Sequence, residues 1–341
     1  MLPVCPDPST VLAHFLPMEC PRVAQKLILD VDTGTDDAVA IMLAALHPEI
    51  DLVGITTVNG NVEVKFCTDN TLRVLDHIGR SDIPVYEGSN RPFVRENFPV
   101  ARGVTDQASK FHVETLPVPP AKSKKADKGA VEYLVETYRN ATDPIVLMPV
   151  GPLTNIAAAL AADPDFASRV PELIIMGGGH EIGNMTPSAE FNIWADPEAA
   201  ARVFSAGFEK VTLVTLDATH RALVSYADCD HLAMLGTPAG QATSDIVRFR
   251  IEMHDISQKM EVLGTAPVHD AVCVAYLVDR AILTTRHLHV DVETSGGLTV
   301  GRTVIDTHFR GNREPNADVA FDADPRRFVA MLTDIFARPH G

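Results

Sequence analysis

The sequence predicts an α/β fold: a single domain with a largely parallel, doubly wound central sheet, and extra strands and helices toward the C-terminus. Three observations carry this. Short apolar runs alternate with segments of helical pattern along most of the chain, as when strands are joined by crossover helices. Polar clusters rich in Asp, Asn and Gly follow the ends of the apolar runs, where open α/β sheets bind ligands. No linker divides the 341 residues, a length that suits one large domain or two small ones. Residues 26–341 are therefore expected to form one domain.

The first strand is expected at Lys26–Val31, a buried apolar run, and a helix at Asp36–Leu46 after the tight turn that Gly34 permits. Leu52–Val58 and Val64–Ile78 repeat the pair, and Ile83–Tyr86 is a short strand. Asn97–Lys128 is polar, contains proline and lacks a period, so it reads as a long loop. Lys128–Tyr138 has a helical pattern, Ile145–Val150 is a strand, and Asn155–Ala162 is an Ala-rich helix. Leu173–Met176 is a strand that ends in a glycine cluster. Pro197–Ser205 is a helix with proline in its first turn, and Val211–Leu216 is a strand. Ser225–Leu263 is mostly helical in pattern, and another helix starts near Asp270. Strands are expected around His287–Asp291, Leu298–Val304 and Asp318–Phe321, and a last amphipathic helix at Pro325–Phe336.

Composition narrows the function. The 29 basic residues are outnumbered by 45 acidic ones, a net charge of −16, which disfavours a general nucleic-acid binder or a cationic membrane-surface protein. The longest apolar stretch, Ala38–Leu46, stops at His47-Pro48-Glu49, short of the roughly 18 residues of a membrane span. Residues 1–25 lack a basic start and carry Pro3, Pro6, Pro8, Pro17 and Pro21. They read as a poorly ordered extension rather than a signal peptide, with Met18 a candidate second start. The five cysteines have no CxxC spacing, so neither a disulfide framework nor a zinc site is expected, and a reducing cytoplasm is.

The chemistry concentrates at the strand ends. DVDTGTDD places Asp30, Asp32, Asp36 and Asp37 within eight positions. One of them is expected as a helix cap, but four carboxylates in that space repel one another unless a cation, a shared proton or donors intervene. A hard divalent ion, Ca²⁺ or Mg²⁺, is the simplest answer. Thr57-Val58-Asn59-Gly60-Asn61 and Pro149-Val150-Gly151 follow two other strands. MGGGHEIGN and AEFNIWADPEAA offer Asn184, Glu190 and Asn192, and His269-Asp270 opens a late helix. Singly, each reads as a turn or cap residue; their convergence at strand ends points to a site. The glycines after Met176 give GxGxxxG, not the dinucleotide fingerprint.

These segments resemble the inosine–uridine-preferring nucleoside hydrolases. LILDVDTGTDDAVA, TTVNGNV, LMPVGPLTNIA, IIMGGG, EFNIWADPEAA and HDAV carry the likeness, which runs from Lys26 to Phe336. The resemblance implies hydrolysis of the N-glycosidic bond of ribonucleosides, a tightly held Ca²⁺, and a homodimer or homotetramer. It implies Asp32, Asp37 and Asp270 as calcium ligands with the Val150 carbonyl, and Asp32 also as general base. Asp36, Asn61, Asn184, Glu190 and Asn192 match ribose-binding positions, and Met176 a residue packed near the sugar. Asp30 matches a carboxylate behind the loop that orients it. His269 matches a residue near the base that gives a proton to the leaving group. The chemistry fits an oxocarbenium-like sugar stabilised by nearby carboxylates and amides.

The chain departs from the family around ARGVTDQASKF, where no histidine occurs until His112. Its single tryptophan, Trp194, reads as packing, which disfavours a purine-specific stacking mode. Phe249–Leu263 contains no tyrosine, and His254 reads there as a solvated helix-face residue. Two rival readings remain. LILDVDTG also resembles haloacid-dehalogenase-type phosphatases, with Asp30 as nucleophile and Asp32 as acid/base, but that reading leaves EFNIWADPEAA and HDAV unexplained. The other rival is a nucleoside or ribose sensor that keeps the site without turnover.

Overall fold

The computed structural model describes residues 24–98 and 111–339. The expected N-terminal extension lies outside them up to residue 23, as do residues 99–110 of the long loop, with nearly all of ARGVTDQASKF.

β1 (Gln25–Val31) sends Leu27, Leu29 and Val31 into one core layer and Ile28 into the other. That alternation is the period of a strand buried on both faces. The chain continues through α1 (Thr35–Leu46), β2 (Ile50–Thr57), α2 (Val64–His77) and β3 (Val85–Glu87). It then passes through α3 (Ala130–Asn140), β4 (Ile145–Pro149), α4 (Thr154–Ala162), α5 (Phe166–Arg169) and β5 (Leu173–Met176). Next come α6 (Phe191–Ala195), α7 (Pro197–Phe204), β6 (Val211–Val214) and α8 (Leu216–Thr219). β7 (Leu223–Ser225), α9 (Tyr226–Met234), α10 (Pro238–Ser257), β8 (Thr265–Pro267) and α11 (His269–Val278) follow. The chain closes with β9 (Leu283–Leu288), β10 (Val290–Val292), β11 (Thr303–Ile305), β12 (Ala317–Ala323) and α12 (Pro325–Phe336).

Eight strands form one sheet in the order β3-β2-β1-β4-β5-β6-β12-β9. Its neighbours are parallel except for β12 against β9. The chain winds outward from β1 to β3, then returns to place β4 on the other side of β1. The reversal opens a crevice at the carboxyl ends of β1 and β4, the switch point at which such sheets bind ligands. α1 packs against α2, α10, α11 and α12 on one face, and α3 and α7 against α4 on the other. Both faces are thus covered, as a parallel sheet requires. No helix among the described residues is long and apolar enough to cross a membrane.

Several boundaries differ from the sequence reading. The strand expected over Leu298–Val304 is only β11, and Leu298 is 89% exposed. Its first half is a turn in which Gly301 has φ +81° and lies so close to Trp194 that a Cβ there would sit 2.5 Å from the Trp194 Cα. The run His287–Asp291 is split between β9 and β10. The strand at Val211 stops at Val214, and Leu216 opens a helical turn. Ser225–Leu263 resolves into two helices separated at Gly236, φ +67°, with Thr237 capping the second by accepting from Gly240 N.

Candidate functional site

The loop that leaves β1 is organised by Asp37 in the first turn of α1. Its carboxylate accepts from Asp32 N (3.1 Å), Gly34 N (2.9 Å) and Asn61 Nδ2 (3.1 Å). Asp32 in turn accepts from Asn61 N at 2.7 Å. Two glycines leave room for this side chain: a Cβ on Gly60 would fall 2.0 Å from one Asp32 oxygen, and a Cβ on Gly151 2.8 Å from the other. Asp30 sits deeper. It accepts from Asn155 Nδ2 at 2.7 Å and from Thr56 Oγ1, its second oxygen has no partner, and burial pushes its carboxyl up to about 7. Asn155 also donates to the Thr57 carbonyl and accepts from Ser89 N, so this buried knot ties β1, β2 and α4 together.

Asp36, Asp37 and Asp270 are buried, and one oxygen of each lies within 4.8 Å of the others. Asp32 stands beside this trio. Burial and the Asp37 carboxylate push its own carboxyl well above the ordinary range. Asp270, in the first turn of α11, is raised well above that range by burial, then by Asp36, Asp37 and Asp32. One guanidinium, Arg250 of α10, answers these four carboxylates. Its Nη1 donates to Asp36 Oδ1 (2.9 Å) and Thr35 Oγ1 (2.7 Å), and its Nε to the Pro267 carbonyl (3.0 Å). Among the described residues, four buried acids face one guanidinium, and their carboxylate oxygens suit a hard cation such as calcium or magnesium. The trio within 4.8 Å includes Asp36, which the resemblance assigns to the sugar, and Asp32 stands next to it.

The opposite wall comes from β5 and α6. Glu190 caps α6, accepting from Asn192 N (2.9 Å) and Ile193 N (3.2 Å), and also from Gly178 N (2.9 Å). Burial still pushes its carboxyl up to about 7. Asn192 Nδ2 donates to the Val150 carbonyl (2.7 Å) and more weakly to the Met176 carbonyl (3.2 Å). The Val150 oxygen keeps a second lone pair. Asn184 accepts from Phe191 N at 2.9 Å.

Imidazoles gather near Arg250. His269, the first residue of α11, places Nδ1 2.7 Å from Thr219 Oγ1, and its ring lies 5.7 Å from that of His220. Burial, followed by Arg250, His220, His254 and His112, holds His269 well below its ordinary value. His254 is not a solvated helix-face residue: it is 2% exposed, its ring lies 4.7 Å from Phe111, and burial lowers it to about 4. Phe111, far off in sequence, covers this ring, so its burial is set by tertiary contact. His112 accepts from Thr35 N at 3.3 Å.

Together these groups surround a cavity of about 470 Å³. Asp32, Asp36, Asn61, Val150, Met176, Asn184, Glu190, Asn192, His269 and Asp270 all line it, whereas Asp37 and Asp30 do not. A phosphatase nucleophile at Asp30 is therefore excluded by position. The sequence reading missed Arg250 and misread His254. The available signal was a lone arginine among the apolar positions Ile246, Val247 and Ile251 of one helix. Trp194 is buried as expected, packed with Phe98 and Phe191 at centroid distances of 5.9 and 6.2 Å, and it also borders the cavity.

Fold and site define an α/β enzyme with a buried, oxygen-lined cavity at the switch point of its sheet. Residues 27–330 match the inosine-uridine preferring nucleoside hydrolases, and the chain belongs to that family. It is 38% identical over 312 residues to a pyrimidine-specific ribonucleoside hydrolase, RihA, of Escherichia coli O9:H4 (strain HS), covering 92% of this chain and 98% of that one. Among solved structures it is similar to a purine-preferring ribonucleoside hydrolase from Gardnerella vaginalis, with a TM-score of 0.82 and 32% identity over 92% of this chain and 98% of the other. A plant nucleoside hydrolase superposes with a TM-score of 0.80 and 30% identity over 92% of this chain and 99% of the other.

Proposed function

We propose that the protein is a Ca²⁺-dependent hydrolase of purine and/or pyrimidine ribonucleosides, releasing free base and ribose in nucleoside salvage. The observation that carries this reading is the convergence of ten expected residues on one cavity. Asp32, Asp37, Asp270 and the Val150 carbonyl would hold the ion. When bound, calcium supplies a Lewis acid that acidifies a water and orients the sugar diol. Asp32 takes the proton of the attacking water. Asp36 and Asn61 hold the sugar hydroxyls, while Asn184, Glu190 and Asn192 with Met176 face the ring on which positive charge develops. His269, neutral in its buried setting with the Thr219 hydroxyl donating to Nδ1, offers its Nε2–H as a hydrogen bond to the departing base, which takes its proton from solvent. The same reading places the protein in the cytoplasm as a homodimer or homotetramer.

The test is ribose release from inosine, adenosine, guanosine, uridine and cytidine, by wild type and by Asp32→Ala. Release by wild type alone is expected, and 2′-deoxynucleosides should be cleaved far more slowly for want of one hydroxyl contact. Tight nucleoside binding with no release would make the protein a sensor instead.

A further inference from the structure

The roles above leave the β10–β11 ribbon without a task. It stands outside the eight-stranded sheet as a separate two-stranded one, yet it meets the wall that carries Glu190 at two points. The turn before β11 sets Gly301 against the Trp194 backbone in α6. Thr303, the first residue of β11 and 2% exposed, reaches the loop after β5. Its hydroxyl donates to the Gly179 carbonyl at 2.7 Å and accepts from Gly179 N at 3.0 Å. One buried side chain thus serves both main-chain groups of one residue. Its methyl packs flush on Gly178: a Cβ there would lie 2.6 Å from Thr303 Cγ2, and φ is +66°.

Gly178 is the link to the cavity. Its N–H donates to Glu190 Oε2 at 2.9 Å. The carboxyl also accepts from Asn192 N and Ile193 N, which belong to the turn that Glu190 itself caps. Of these three donors, Gly178 N alone comes from the β5 loop, so it fixes the carboxyl relative to the sheet.

We propose that Thr303 is a positioning residue, which holds the Glu190 carboxyl against the sugar by way of Gly179 and Gly178. The inference rests on the nucleoside hydrolase reading and deepens it. Glu190 lines the cavity and is 2% exposed, so the N–H groups around it set its direction. Without the Thr303 hydroxyl, Gly179 N and O lose their common partner. The two adjacent glycines resist rotation less than any other residues would, and Gly178 N turns away from Glu190 Oε2. A carboxyl facing the sugar ring acts as positive charge develops there, so its displacement is felt in kcat more than in KM.

The test is ribose release from uridine and inosine by wild type, Thr303→Val and Thr303→Ser. Thr303→Val keeps the shape of the side chain and the methyl on Gly178 but removes the hydroxyl. Its kcat should fall about tenfold while KM stays within about twofold. Thr303→Ser keeps the hydroxyl and should recover most of that loss. In a Glu190→Gln background the Thr303→Val change should cost less than about twofold, because the group it acts through is already altered. Rates are read well below each variant's Tm, where a contact that only stabilises the fold leaves kcat unmoved. If Thr303→Val does not fold, Thr303→Ala removes the same hydroxyl without setting a methyl against Gly179. If Glu190→Gln is inactive, the kcat–KM split and the serine variant decide. A wild-type kcat in the folded hydroxyl-free variant, a serine variant no better than the valine one, or full additivity with Glu190→Gln overturns the role of Thr303 alone. Ribose release by none of the proteins, wild type included, overturns the hydrolase reading and this inference with it.

Discussion

Arg250 donates from Nη1 to Oδ1 of Asp36 at 2.9 Å, with both side chains buried, 3% and 7% exposed. The pair links α10 to the first turn of α1. Arg250 reduces the repulsion among Asp32, Asp36, Asp37 and Asp270, and it fixes one Asp36 oxygen so that the other has a defined direction. Arg250→Met should therefore leave Asp36 as an uncompensated buried charge and cost about 3–5 kcal/mol. Urea unfolding of Arg250→Met, Asp36→Asn and the double variant checks this. The double variant should lose less than the sum of the singles, by about 1–3 kcal/mol, and strict additivity would show that the pair is not coupled.

The strands and the DVDTGTDD loop were legible because their signals are local: a continuous apolar run, a glycine turn, clustered acids. Pro197 and Pro325 fixed the first turns of α7 and α12 for the same reason. What escaped depends on which surface meets which. His254 has a polar side chain on a helix of mixed composition, and tertiary contacts such as that with Phe111 make it an inward residue. Arg250 and Asp36 are 214 residues apart, beyond any spacing rule. The pair β7–β8 is three residues a side, too short to show a period. Leu298 is apolar yet exposed, so the run containing it imitated a strand.

Protonation of His254 gives a pH dependence with a definite sign. Burial first, then Arg250, lowers its pKa from the ordinary 6.5 to about 4. As pH falls through 6.5 the unfolded chain binds a proton that the folded one refuses. The stability this histidine supplies is therefore complete above pH 6.5 and is lost as pH falls toward 4. Relative to His254→Phe, wild type should lose about 1.4 kcal/mol per pH unit in that window. Asp30 and Glu190, both raised to about 7, pull the opposite way, but equally in the two proteins. Unfolding midpoints at pH 7, 6 and 5 measure the difference, and a constant gap would mean that His254 titrates normally.

Removal of divalent cations should destabilise the protein as well as silence it. Buried, mutually repelling carboxylates at Asp36, Asp37 and Asp270 relax when a cation joins them. An ion bound only by the folded state adds about 2.7 kcal/mol at a hundredfold excess over its Kd. Thermal unfolding in EGTA should begin several degrees lower, and calcium should restore it more fully than magnesium if the flexible, many-ligand arrangement suits the larger ion. Asp270→Asn should abolish the calcium shift. A shift of equal size in that variant would place the ion elsewhere.

The seat of Asp32 can be tested without touching Asp32. A Cβ on Gly60 would lie 2.0 Å from its Oδ2 and 2.6 Å from its Cγ, whereas one on Gly151 would lie 2.8 Å from Oδ1 and 3.1 Å from Cγ. Gly60→Ala must displace the carboxylate. The displacement strains the 2.7 Å bond from Asn61 N, because that donor belongs to the next residue in the chain. A general base moved by about 1 Å costs on the order of a hundredfold in rate, so ribose release should fall by about that factor in Gly60→Ala. Gly151→Ala needs a smaller shift and should lose about tenfold. Gly297→Ala, where a Cβ meets nothing within 4 Å, should match wild type. Overpacking near Asp32 also costs about 1–3 kcal/mol of stability, so rates are compared well below each variant's Tm. A Gly151→Ala defect larger than that of Gly60→Ala would mean that Asp32 leans toward β4 rather than toward the loop after β2.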